Sequence, residues 1–98
     1  MNTLNDIRVT RVSSTEDTLI VEFEDGRAVQ LPLMWFPRLY GATQAQRDKY
    51  ELIGRGYGVH WPDVNEDLSA RGLALGKASI EFIKAQRKAR PVTEDSTV

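Results

Sequence analysis

Ninety-eight residues suffice for one domain with a single modest core, and leave no room for a second lobe closing over a substrate cleft. The charges nearly cancel, to a net −1, which argues against a dedicated nucleic-acid binder with its clear basic excess. Without a cysteine there is neither a disulfide framework nor a thiolate metal centre; with no signal-like or membrane-spanning apolar run, the expected location is the cytoplasm.

Ile7, Val9 and Val12 mark a first strand, and Ser13 to Asp17 reads as a turn. The run TLIVEFEDGRAVQLPL is a hairpin whose register the apolar pattern decides. A two-residue Asp25-Gly26 loop pairs Val21 with Gln30 and mixes polar with apolar partners. A three-residue loop, Glu24-Asp25-Gly26, pairs Val21 with Val29 and Leu19 with Leu31, and puts Phe23 on the same face. A slip of one residue flips every side chain, so the three-residue loop is the prediction, with Gly26 closing a type I turn and bulge.

Pro32 ends that strand. In LPLMWFPRLYGAT, Pro32 and Pro37 cannot share a long helix, so helical turns are expected from Met34 to Tyr40, stopped by Gly41. Thr43 and Gln46 form a capping box for a second helix reaching about Ile53, with an Arg47/Glu51 pair along it and Gly54 as its stop. GRGYGVHW is a fourth short strand ended by Pro62. Ser69 caps a third helix, Ala70 to Leu75, with Gly76 beyond. In KASIEFIKAQRKAR, residues Ala78, Phe82, Ala85 and Ala89 fall on one helical face. The polar tail PVTEDSTV is expected to be disordered. The fold expected is α+β, a small antiparallel sheet of about four strands packed against three to four short helices. Residues 1–76 form the compact domain, 77–90 a C-terminal amphipathic helix and 91–98 the tail.

Three features carry a resemblance: the Asp25-Gly26 hairpin, the segment from Trp35 to Leu39, and the signature from Trp61 to Asp67. Together they resemble the small bacterial proteins grouped as domain of unknown function 2442, over roughly residues 5 to 76. The chain departs from that pattern at Asn65, where the family more often carries an aspartate. The resemblance implies a compact α+β domain and no particular reaction. It also implies a partner, a second small protein encoded next door in a layout similar to toxin–antitoxin pairs. Some relatives add a helix-turn-helix domain, for which this chain has no room after residue 76.

Candidate sites compete with plainer readings. His60, Asp63, Glu66 and Asp67 offer oxygen and nitrogen donors, yet their spacing matches no compact metal loop. The plainer reading makes Asp63 and Asn65 a polar turn and sets Glu66 and Asp67 near the positive end of the Ser69-capped helix. His60 lies opposite Tyr57, Val59 and Trp61 on its strand, with no nucleophile in a fixed relation to it. Trp35, Phe36, Leu39 and Tyr40 are too many bulky groups for one face of a short helix, so part of this cluster is expected at the surface beside Arg38.

The leading expectation is therefore a non-enzymatic protein-binding module, antitoxin-like or regulatory. It would bind through Trp35, Phe36, Arg38 and Tyr40, with Asp63, Glu66 and Asp67 as a second contact surface. No cofactor, metal or membrane is expected; the partner is another small cytoplasmic protein, and the C-terminal helix offers a route to a homodimer. One alternative is a nucleic-acid-linked regulator acting through Lys84, Arg87, Lys88 and Arg90. The other is a metal-assisted hydrolase at His60, Asp63, Glu66 and Asp67.

Overall fold

The alternation of apolar side chains in residues 9 to 32 builds a three-stranded antiparallel sheet in the order β1-β2-β3. The computed structural model describes residues 6–89, with side chains as far as Gln86. In it β1 is Val9–Ser14, β2 Thr18–Phe23 and β3 Ala28–Pro32. Leu19 pairs with Leu31 and Val21 with Val29, the register of the three-residue loop. Gly26, at φ 95°, donates its N–H to Phe23 O at 3.0 Å and closes the turn. A bulge at Thr10 shifts the register of β1, so that Val9 faces Phe23 while Arg11 faces Glu22.

The chain then crosses to the second layer through short helical pieces. A 3₁₀ turn, Leu33–Trp35, is followed by α1, Pro37–Tyr40. They are separate because Phe36, preceding a proline, is pushed out of the helical region to φ −125°, ψ 81°. Thr43 and Gln46 make both bonds of the capping box for α2, Gln44–Asp48. The expected continuation of α2 to Ile53 is wrong. Arg47 does not pair with Glu51; it is buried and donates to Leu39 O and Ala42 O at 3.2 and 2.6 Å. Released from the helix, Glu51–Ile53 forms β4 and pairs with β5, Gly58–Trp61.

A second correction concerns residues 62 to 69. Glu66 and Asp67 do not lie in a loop at a helix N-terminus; Glu66–Ser69 is a strand, β6, paired with β5. Pro62 ends β5, and Asn65 takes φ 53°, a left-handed conformation that asparagine tolerates better than most residues. That turn closes a hairpin, so among the described residues the four expected strands become six, in two three-stranded sheets. The α+β class holds. Ser69 accepts the Gly72 N–H at 2.9 Å as the N-cap of α3, Ala70–Ala74.

The core lies between the inner faces of the sheets and joins Val12, Leu19, Val21 and Phe23 to Val59, Trp61 and Leu73. Two polar contacts lock the layers. Trp61 Nε1 donates to Arg47 O, and the Val12 N–H on the edge strand β1 donates to the Tyr50 hydroxyl, each at 3.1 Å.

The last helix, α4, is Ile80–Ala89, and it begins later than the expected Lys77. Its first turn is held by the Ser79 N–H donating to Trp35 O at 3.1 Å and by Phe82 packing on Trp35 with ring centroids 6.4 Å apart. The expected stripe of Ala78, Phe82, Ala85 and Ala89 does not dock along its length. Phe82 is half-buried, whereas Ala85 is exposed and Ala78 precedes the helix. The tail 91–98, Arg90 and the side chains of Arg87 and Lys88 lie outside the described residues.

Candidate functional site

The residues expected to form an acidic loop are separated by strand geometry. Successive side chains of β6 point to opposite faces, so Asp67 shares the outer face with His60 while Glu66 points the other way. His60 stands directly across from Asp67 on one side and from Glu51 on the other. Its Nδ1–H donates to Asp67 Oδ1, which orients the ring. Asp63, in the turn, accepts from Lys49 Nζ at 3.3 Å. The set His60, Asp63, Glu66 and Asp67 therefore does not converge, and among the described residues no three His, Asp or Glu side chains gather as metal ligands would. His60 thus gains its partner from β6, a strand the sequence pattern does not announce.

The aromatic cluster divides as well. Phe36 is fully buried and drops out as a contact residue. Trp35 is half-buried under Phe82. Tyr40 stays at the surface, 56% exposed. Arg38 is exposed but occupied: Nε donates to both carboxylate oxygens of Glu81 at 3.1 Å, and Nη1 donates to Asn65 O at 2.7 Å. One guanidinium thus ties α1 to α4 and to the left-handed turn.

What these contacts enclose is a groove of about 410 Å³. Its walls are residues 65–69, Gly72 and Leu73 of α3, the segment 77–81, and Arg38. Three residues named from sequence meet here, Arg38, Glu66 and Asp67, and three that were not named as site residues join them, Lys77, Ile80 and Glu81. Arg38 and Glu81 are separated by 43 residues, and no local signal in the chain foretells the pair.

Glu66 gives the groove its chemistry. Oε1 accepts the Asp67 N–H at 3.2 Å, but Oε2 is buried with no hydrogen-bond partner among the described residues. Burial pushes this carboxyl above its ordinary value, and Glu81 and Asp67 add to the shift. The Asp67 N–H and Arg38 oppose it. A buried carboxylate oxygen without a donor is rare, because the desolvation it suffers goes uncompensated.

A stability consequence follows. An acid whose folded pKa lies above its unfolded value binds protons more tightly when folded, so its contribution falls as pH rises from about 4.5 through the raised value. Glu66→Gln is therefore expected to raise the melting temperature at neutral pH, on the order of 2 °C, and to remove that decline. Thermal melts from about pH 4 to 8 read this directly. Parallel curves for the two proteins would contradict it.

The described residues form a small two-sheet α+β domain with a groove lined by both charged and apolar residues. The chain matches the model of the family described as "Protein of unknown function (DUF2442)" over residues 9–79, and it belongs to that family. Among solved structures it is similar to a protein of unknown function from Rhodospirillum rubrum ATCC 11170. The TM-score is 0.64 at 31% identity, covering 76% of this chain and 93% of that one. No protein of curated function matches the chain. No helix among the described residues is long and apolar enough to cross a membrane.

Proposed function

We propose that the protein is a binding module whose groove takes a cationic, partly apolar segment of a protein partner. The observation that carries this reading is Glu66 Oε2, buried in the wall of a groove and lacking a donor. Oε2 is closed to solvent, so an arginine or lysine side chain reaches it once the Glu66 carboxyl turns toward the groove, and then supplies the missing donor through a charge-assisted bond. Leu68 and Leu73 line the same groove, and Ile80, 70% exposed, forms its lip, so the segment that fits has apolar residues beside the cation. Arg38 is held by Glu81 and acts as a wall that keeps the groove open rather than as a contact residue.

The test uses two fluorescent octapeptides of leucine, alanine and a charged residue, one with arginine and one with glutamate. The arginine peptide is expected to bind at roughly 10–100 μM, and Glu66→Gln to weaken it about tenfold. Equal binding of both peptides, or arginine-peptide binding indifferent to Glu66→Gln, would sink the reading.

A further inference from the structure

β6 is an edge of the second sheet, with β5 on one side and, among the described residues, no strand on the other. The register fixes which of its backbone groups face outward. The Ala70 N–H donates to Tyr57 O at 2.8 Å, and the same alternation turns the backbone groups of Glu66 and Leu68 toward β5. Asp67 and Ser69 therefore present theirs at the open edge. Two side chains already sit along that edge. Arg38 Nη1 donates to Asn65 O at 2.7 Å, and the Asp67 N–H donates to Glu66 Oε1 at 3.2 Å. Arg38 and Glu66 both line the groove, so the edge opens into it. Beside them, Asp67 O and the Ser69 N–H have no hydrogen-bond partner among the described residues.

We infer that the cationic segment docks as an added strand, its backbone bonded to the free edge of β6. The inference rests on the groove reading above and gives the manner of binding. An N–H of the segment donates to Asp67 O, and a C=O accepts the Ser69 N–H. Side chains of a strand alternate, so those on the inner face stand beside Glu66 and Leu68, two positions apart. The segment that fits therefore carries its arginine or lysine and an apolar residue with one residue between them. When the Glu66 carboxyl turns to the cation it releases the Asp67 N–H, which a carbonyl of the same segment then takes. Main chain and charge are thus recognised together. Arg38 at Asn65 and the start of α3 at Ala70 bound the edge, so the paired stretch is about three residues long. A second β6 is the poorer occupant: it brings the Glu66 and Asp67 carboxylates of both copies together, with no basic residue on either strand.

The test is a methylation scan of the arginine octapeptide, each backbone amide N-methylated in turn and its binding to the full chain followed by fluorescence anisotropy. Methylation is expected to weaken binding about tenfold at an amide that faces the edge, and less than about twofold at the amides on either side of it. The protein supplies a second measurement. Ser69→Pro removes the N–H from the edge, whereas Ser69→Ala keeps it, and both lose the hydroxyl that caps α3. The proline variant is expected to bind about tenfold more weakly than the alanine variant. Circular dichroism confirms that both remain folded; if the proline variant unfolds, the methylation scan decides alone. Glu66-dependent binding that tolerates methylation at every amide overturns the strand addition and preserves the groove reading, as does equal affinity of the two folded Ser69 variants. A free chain that sediments at twice 11.1 kDa, as a dimer the peptide does not dissolve, assigns the edge to a second copy and overturns the inference too. An arginine octapeptide that does not bind at all removes the groove reading, and the strand addition with it.

Discussion

Arg47→Ala is expected to lower stability by about 3 kcal/mol, a melting-temperature loss on the order of 15 °C for a domain of this size. Arg47 is 8% exposed, and among the described residues its charge is met by hydroxyl, amide and carbonyl oxygens. Nε donates to Ser14 Oγ at 2.9 Å, Nη2 to Gln44 Oε1 at 3.1 Å, and Nη1 to the carbonyls that end α1 and precede α2. Truncation leaves the Ala42 carbonyl without its Arg47 donor, leaves Leu39 O with the Ala42 N–H at 3.1 Å, and opens a void against β1. Breaking a buried polar network in this way belongs to the short list of mechanisms behind large single-site losses. Arg47→Lys keeps the charge but offers no planar fork, so it should recover less than half of the loss. Chemical denaturation of the three proteins measures this. A loss below about 1 kcal/mol for the alanine variant would show that the network contributes little.

The second large effect is expected at Gly56. It sits at φ 99°, and a Cβ built there would approach Val9 O to 2.5 Å and the Val9 N to 3.2 Å. The obstacle is backbone on both counts, and it belongs to β1, so relief requires the two sheets to part. Gly56→Ala therefore combines an unfavourable backbone conformation with a collision between layers, and a loss of at least about 2–3 kcal/mol is expected. Gly26 serves as the control. It has a similar φ of 95°, yet nothing lies within 4 Å of a Cβ there. Gly26→Ala should show the conformational cost alone, about 1 kcal/mol. Equal losses at the two sites would mean that the sheets are not in fixed contact at Gly56.

These two positions also show how far the sequence could be read. The hairpin register was legible because Leu19, Val21 and Phe23 meet Leu31 and Val29 only in one alignment. The caps at Thr43 and Ser69 were legible because capping is local chemistry. Residues 49 to 53 were not. Helical pattern carried the reading on to Gly54, while burial of Arg47 and pairing with β5 ended the helix at Asp48. That is tertiary contact overriding local preference. β6 was missed for the opposite reason. Carboxylates at 66 and 67 look like a helix start beside Ser69, and only the left-handed Asn65 turns them into a strand. Asparagine suits that left-handed turn, and its carbonyl receives Arg38.

The candidate site was legible in its members and not in its geometry. Arg38 drew attention beside the aromatics and Glu66 and Asp67 as carboxylates near a helix start, so they were assigned to two surfaces. The structure brings them to one groove, where Glu81 holds Arg38. Phe36 was the clearest overestimate. The break before Pro37 turns it inward, while Tyr40, one turn later, stays outside.

The most direct test of the central claim, that a cationic segment binds in the Glu66 groove, is a map of where it binds. The amide spectrum of the ¹⁵N-labelled protein should be followed during titration with the arginine octapeptide. The account requires the largest shifts at residues 65–69, Gly72, Leu73 and 77–81, and their loss in the Glu66→Gln background. Shifts centred on the outer face at Glu51 and His60, or a spectrum that does not move at all, would contradict it.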